Sequence, residues 1–279
     1  MKHQELKWKS YDGLDMFAQT WEPDVVLPRA VVCLVHGLGE HSSRYSHVAE
    51  AFSKEGYILL AFDLRGHGRS GGVRGHISSA EDFLQDIDQL LAQAKTRYPD
   101  LPIILYGHSL GGILVLNYGL KRKPNIKGVI ATSSGLHTAV EKQPAKIFMA
   151  KLLGSLTPST TLSSGLDAKA ISRDETVVQA YMNDPLVHDK VSLGFVKIML
   201  GVTKWTIENA GNFPLPLLLL HGKRDTIAFP SSSTEFASAL KDRSTLILWD
   251  GAYHELQNEP EKVEVFKTMI MWMDARLRE

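Results

Sequence analysis

Residues 103–119 constrain the fold more than any other stretch. An apolar run, Ile103-Ile104-Leu105-Tyr106, follows Pro102 and turns through Gly107-His108-Ser109-Leu110-Gly111-Gly112. It resumes as Ile113-Leu114-Val115-Leu116, then meets Gly119 and the stop Lys121-Arg122-Lys123-Pro124. A buried strand and a buried helix therefore bracket a G-x-S-x-G motif, the context in which the serine sits on a nucleophile elbow. The turn is too tight for side chains two residues either side of the serine, which accounts for Gly107 and Gly111. It holds the Ser109 hydroxyl up and aims the first N–H groups of the helix at whatever that hydroxyl attacks.

The rest of the chain repeats the alternation of strand and helix. Segments near 4–9 and 14–21 alternate polar and apolar residues and predict an antiparallel hairpin across Tyr11-Asp12-Gly13. Continuous apolar runs near 30–36, 57–63, 102–106 and 127–132 predict buried parallel strands, with two more strands at 215–221 and 244–249. Helical patterns cover 43–55, 79–98, 109–121, 231–241 and 260–278, the second with a capping-box start at Ser79 and Asp82. The expectation is an α/β fold: an eight-stranded, mostly parallel sheet flanked by helices. Residues 137–210 break the rhythm with helical pieces and no clear strand, so they are expected to form an inserted helical cap on a core of residues 1–136 and 211–279.

In such sheets chemistry lies beyond the carboxyl ends of the strands. A serine hydroxyl needs a base to take its proton and an acid to hold that base in the right tautomer. Asp225 follows the seventh strand in His221-Gly222-Lys223-Arg224-Asp225, and His254 follows the eighth in Asp250-Gly251-Ala252-Tyr253-His254. The order Ser109, Asp225, His254 is that of the α/β-hydrolases. Asp250 reads as a turn former, His221 as a packed or capping residue, and His137 and His188 as cap residues. An oxyanion hole needs two backbone N–H donors. Leu110 supplies one; Leu38, in His36-Gly37-Leu38-Gly39 after the third strand, supplies the other.

Several function classes drop out. Lys plus Arg and Asp plus Glu are both 31, so no bulk field attracts nucleic acid. The lone Cys33 lies in an apolar strand and cannot close an internal disulfide, which fits a reducing, cytoplasmic setting. No apolar signal core opens the chain, and Leu217-Leu218-Leu219-Leu220 is far too short to span a bilayer, although the cap can still touch a membrane or micelle surface. Gly66-His67-Gly68-Arg69-Ser70-Gly71 matches a dinucleotide fingerprint, but the next helix starts beyond Gly72, Gly75 and Ile77, so it reads as a glycine-rich turn. His36, His41 and His47 fit no common zinc spacing; neither metal nor cofactor is expected.

With these pieces assembled, the sequence resembles the monoacylglycerol lipase and lysophospholipase-like branch of the serine α/β-hydrolases over roughly residues 10–275. The resemblance rests on five stretches: His36-Gly37-Leu38-Gly39-Glu40-His41-Ser42-Ser43-Arg44-Tyr45, Asp63-Leu64-Arg65-Gly66-His67-Gly68-Arg69-Ser70, the elbow with His108, Tyr181 with Asp184-Pro185-Leu186, and Gly251-Ala252-Tyr253-His254. It implies a catalytic triad of Ser109, Asp225 and His254, oxyanion amides at Leu38 and Leu110, and substrate contacts from Glu40, Arg44, His108 and Tyr181 at the polar end of the pocket. For Glu40 and Arg44, a local ion pair that fixes the loop is the competing reading. The implied reaction is hydrolysis of monoacylglycerols through an acyl-enzyme. Lysophospholipases, general or aromatic carboxylesterases and prolyl aminopeptidases share the same triad, and a non-catalytic ligand-binding protein of the same fold is the alternative from another class. In the cap, residues 147–153 and 195–200 interleave apolar residues with lysine; about half are expected in the cap's own core and the rest at a lipid-facing surface.

Overall fold

A computed structural model describes residues 1–278, apart from the side chains of Lys142, Lys146, Met149 and Lys151. Eight strands form one sheet: β1 (Lys2–Lys9), β2 (Asp15–Glu22), β3 (Ala30–Val35), β4 (Tyr57–Phe62), β5 (Ile103–His108), β6 (Gly128–Thr132), and, after an insertion carrying two short strands, β9 (Leu217–Gly222) and β10 (Ser244–Trp249). Their order is β1-β2-β4-β3-β5-β6-β9-β10. β2 pairs antiparallel with both β1 and β4, and every other neighbour is parallel. The mostly parallel sheet expected from the apolar runs is the one observed.

Strands β3 to β6 and β9 are buried on both faces, so their alternate residues feed two cores. Val31, Cys33 and Val35 join a core with Phe83, Ile87 and Leu90 of helix α2 (Ala80–Arg97) and Val115 of α3 (Leu110–Arg122). Ala30, Val32 and Leu34 face the other side, against Val48 and Phe52 of α1 (Ser46–Lys54) and Phe266, Met269 and Met273 of α8 (Lys262–Leu277). The capping box of α2 forms as its sequence predicts, with Ser79 and Asp82 bonding reciprocally. Burial pushes the Cys33 thiol pKa well up, which suits a small apolar residue.

Strand β2 departs from its alternating pattern, because residues 16–21 are all buried. A second layer covers its polar face. The guanidinium of Arg69 lies 3.6 Å from the centroid of the Phe17 ring, and the Gln19 amide donates to the Ser42 and Ser43 hydroxyls. Between β6 and β9 the insertion holds α4 (Pro144–Leu153), α5 (Glu175–Asn183) and α6 (Leu193–Glu208). It also holds a two-stranded antiparallel pair, β7 (Thr161–Ser163) with β8 (Lys190–Ser192), where the sequence predicts no strand. Three-residue strands are too short to show a period of two, so this pair leaves no pattern to read. A seventh helix, α7 (Ser231–Leu240), leads to β10.

The insertion is sewn to the core through backbone groups. The His188 N–H donates to Gly39 O at 2.9 Å, Ser192 N–H to Gly75 O at 2.8 Å, and Glu255 N–H to Ile171 O at 2.7 Å. Gly39 (φ +77°) and Gly75 (φ +65°) are needed there, since a Cβ on either would collide with the carbonyl of His188 or Lys190. In the two amphipathic runs, Phe195 and Met199 are buried, whereas Phe148 and Leu152 stand 64% and 54% exposed. Met149 and Lys151 of the first run lie outside the described side chains.

Candidate active site

Ser109 is the hinge between β5 and α3, with φ +54° and ψ −112°, a conformation that costs a non-glycine residue on the order of 1–3 kcal/mol. The surroundings hold it there. Its N–H donates to Thr132 O on β6 at 2.9 Å, and its carbonyl accepts from Ile113 N–H at 3.1 Å. A Cβ on Gly107 would collide with Gly111 O, and one on Gly111 with Val35 O on β3, so the elbow packs backbone against backbone as the motif predicts.

Asp225 and His254 arrive from the loops after β9 and β10. His254 Nδ1 lies 2.7 Å from Asp225 Oδ2, and His254 Nε2 lies 2.8 Å from Ser109 Oγ. A carboxylate can only accept, so Nδ1 carries the proton and Nε2 offers its lone pair to the serine O–H. Both partners are buried. Asp225 Oδ1 accepts from the N–H groups of Ile227 and Ala228, at 2.9 and 3.0 Å. Burial alone would raise the Asp225 pKa, but His254, and with it His221, hold it well below the usual carboxylate range. For His254, burial lowers the pKa, and the adjacent Asp225 carboxylate more than offsets this, leaving it above its ordinary value.

His221, expected from the sequence to be packed or capping, is in place to do more. Its Nε2 lies 3.0 Å from Ala228 O and 3.2 Å from Asp225 Oδ2, while its Nδ1 lies 2.8 Å from Ser233 Oγ. Because Ala228 O can only accept, the Nε2–H donates, and it also bears on the carboxylate. Asp225 thus faces four donors, which is the capacity of a carboxylate. Only the sequence spacing of four between His221 and Asp225 hinted at this.

The second amide loop lies directly beneath. Leu64 N–H donates to His36 Nε2 at 2.9 Å, so His36 Nδ1 carries the proton and donates to Gly37 O at 2.7 Å. A trans peptide points its C=O and N–H in opposite directions, so fixing the Gly37 carbonyl fixes the Leu38 N–H on the other side. The loop runs close to the serine: a Cβ on Gly37 would stand 3.3 Å from Ser109 Cβ. Leu110 opens α3 and has no intrahelical acceptor for its N–H. Among the described residues, neither the Leu38 nor the Leu110 N–H has a hydrogen-bond acceptor.

The four residues implied at the polar end occupy different positions. Glu40 is buried; its Oε1 accepts from Gly37 N–H at 2.6 Å and from Tyr45 O–H at 2.8 Å, and its Oε2 from Arg44 at 2.8 Å. Arg44 also holds Glu255 with two hydrogen bonds of 2.7 Å each, and its guanidinium lies 4.7 Å from the centre of the Tyr181 ring. Both side chains are thus engaged within the protein. His108 is buried with its ring centre 5.0 Å from that of His254; burial, and then His254, push its pKa down to about 4, so it is neutral. Its Nδ1 lies 3.1 Å from Thr132 Oγ1. Tyr181, on α5, lines a cavity of about 300 Å³ with Leu38, Leu166, Met182 and Val187, and its hydroxyl makes no hydrogen bond among the described residues. A larger hollow, about 500 Å³, lies behind Asp225 among Lys169, Lys223, Arg224 and Tyr253, away from the serine hydroxyl. The histidines considered as a metal cluster part company: His41 pairs with Asp184 and His47 with Gln257 O.

Comparison with known proteins gives the family. The family described as "Serine aminopeptidase, S33" matches residues 27–261. A monoacylglycerol lipase of Mycolicibacterium smegmatis is 35% identical over 275 residues, 98% of both chains. An abhydrolase domain-containing protein of Dictyostelium discoideum is 43% identical over 93% of this chain, which spans only 28% of that relative's length. Among solved structures, the monoacylglycerol lipase of Paleococcus ferrophilus is similar at a TM-score of 0.83 with 33% identity, covering 99% of this chain and 100% of that one. The chain belongs to the Serine aminopeptidase, S33 family and is a serine hydrolase with the α/β-hydrolase fold.

Proposed function

We propose that this enzyme hydrolyses monoacylglycerols to a fatty acid and glycerol through an acyl-enzyme on Ser109. The observation that carries this reading is the continuous line Asp225–His254–Ser109, at 2.7 and 2.8 Å. The Ser109 hydroxyl passes its proton to His254 Nε2 while its oxygen bonds to the ester carbon. The carbonyl oxygen takes up the negative charge and is held by the N–H groups of Leu38 and Leu110, each such donor supporting about 3 kcal/mol of barrier reduction. Collapse breaks the bond to the glyceryl oxygen, which leaves with the proton from His254. Water then attacks the acyl-serine, again through His254, and releases the acid.

The substrate class follows from the relatives named monoacylglycerol lipase, and the cavity beside Leu38, where Leu166, Met182 and Val187 meet Asp184, Asp189 and the unspent Tyr181 hydroxyl, supports it. Residues 137–210 are the cap that roofs this cavity. Tyr181 meets the glyceryl hydroxyls directly, with His108 beside the leaving group. Glu40 and Arg44 shape that end of the site, chiefly by holding the loop of Leu38. Phe148 and Leu152, together with Leu156 and Leu162, form an outward apolar edge suited to touching a lipid aggregate.

The test is a panel of monoacylglycerols, lysophospholipids, alkyl esters and aryl esters of matched acids, ranked by kcat/KM. Monoacylglycerols should exceed alkyl esters of the same acid by about tenfold or more, since a site built for hydroxyls penalises their loss. Equal rates across the panel would make the protein a general esterase.

A further inference from the structure

We propose that Glu255 is a positioning residue for catalysis, acting through Arg44 to lock the loop of the base to the loop of the oxyanion amide. The inference rests on the proposed roles of Ser109 and His254. The two loops leave different strands, β3 and β10, which lie four places apart in the strand order and share no hydrogen bond with each other. Arg44 spans that gap. Its Nη1 donates to Glu40 Oε2 at 2.8 Å and to Glu255 Oε1 at 2.7 Å, and its Nη2 donates to Glu255 Oε2 at 2.7 Å. Glu40 passes the constraint on to Gly37 N–H at 2.6 Å, one residue from the Leu38 amide. Glu255 is the residue after His254 and is braced further by Asn258, whose Nδ2 donates to Glu255 Oε2 at 2.7 Å.

All three charged side chains are 10% exposed or less, so their hydrogen bonds are shielded from competing water. The planar fork of arginine fits a carboxylate with two parallel bonds and resists rotation, which a lysine could not do. The cap closes the same unit, with Tyr181 on the face of Arg44 and the Ile171 carbonyl on the Glu255 N–H. The clasp also sets the charge around the base. His254 faces Asp225 from the loop after β9, neutral His108 from β5, Ser109 from the elbow, and Glu40, Arg44 and Glu255 from the two clasped loops; His221 and Tyr181 stand one group further out. Two carboxylates against one guanidinium leave the clasp one negative charge, which favours the imidazolium formed during the reaction.

The experiment compares wild type with Glu255→Gln and Glu255→Asp on a soluble monoacylglycerol, with active sites counted by fluorophosphonate titration so that rates refer to folded enzyme. For Glu255→Gln, kcat per titrated site should fall by about tenfold to a hundredfold, the scale of a small misplacement of catalytic groups. KM should change less than threefold, and the acid limb of the pH–kcat/KM profile should move to lower pH. Glu255→Asp keeps the charge but shortens the reach; it should return the acid limb toward wild type while leaving kcat reduced. An unchanged kcat per titrated site, or a raised KM at constant kcat, would overturn the proposal, the latter by assigning Arg44 to substrate binding alone. Failure of the wild type itself to label at Ser109 would instead refute the serine mechanism, and so is distinguishable.

Discussion

Replacing Gly39 with alanine tests how the cap is seated on the oxyanion loop. Gly39 has φ +77° and accepts the His188 N–H at 2.9 Å, with the His188 carbonyl where a Cβ would stand. An alanine there costs about 1–2 kcal/mol for the left-handed backbone and about 1 kcal/mol for the bond lost as the 188–189 chain backs away. With some residual strain, the loss should be about 2–4 kcal/mol. Gly13 supplies the control: its φ is +83°, yet no atom lies within 4 Å of a Cβ built there, so Gly13→Ala should cost only the backbone share, about 1–2 kcal/mol. Urea unfolding of both variants gives the difference, and limited proteolysis reports whether cleavage in residues 137–210 accelerates only in Gly39→Ala. Because Leu38 precedes Gly39, kcat/KM should drop about tenfold or more in that variant and stay near wild type in Gly13→Ala. Equal destabilisation of the two, with equal activity, would refute the idea that the cap rests on this glycine.

Ser109→Ala keeps the Cβ and with it the φ of +54°, so it should fold normally and lose activity by several orders of magnitude; a loss below tenfold in kcat/KM would remove Ser109 from the nucleophile's role. Asp225→Asn should also be severe by the same assay, because an amide at Oδ2 can no longer hold the His254 Nδ1–H tautomer. The base works only when neutral, and Asp225 outweighs burial to hold its pKa above 6.5, so kcat/KM should rise with pH through a midpoint above 6.5 and be lost below it; a flat profile from about pH 5 to 8 would exclude His254 as the base. Vesicles of neutral phospholipid should retain the protein weakly in co-sedimentation, and less so when Phe148 and Leu152 become serine; equal retention would show that the exposed edge does not touch lipid.

What the sequence disclosed followed from how locally each signal is written. Residues 103–119 carry strand, turn and helix within one window, and the apolar runs of β3 to β6 and β9 need no partner to be recognised. Asp225 and His254 were legible because the parallel sheet dictates that chemistry follows strand ends. The Arg44–Glu255 pair was not: 211 residues separate its members, and either alone looks like an ordinary surface charge. The same holds for β7 and β8, and for His221, whose hydrogen bond to Asp225 appears only once the loop between them has closed. Glu40 and Arg44 were read two ways, as substrate contacts or as a loop-fixing pair, and the observed bonds to Gly37 and Glu255 give weight to the second.

The strand order also sets when chemistry can begin during synthesis. Residues 2–132 supply six adjacent strands, β1-β2-β4-β3-β5-β6, complete with the elbow and the loop of Leu38. β9 and β10, which bring Asp225 and His254, add to the β6 edge only after the insertion has been made. A chain still on the ribosome therefore carries Ser109 and the loop of Leu38 without the two residues that complete the proposed triad until its last two strands dock. The insertion is accordingly a natural seam: a cut within it leaves Ser109 on one fragment and Asp225 with His254 on the other, so that ester hydrolysis becomes a direct report on whether the two pieces have found each other.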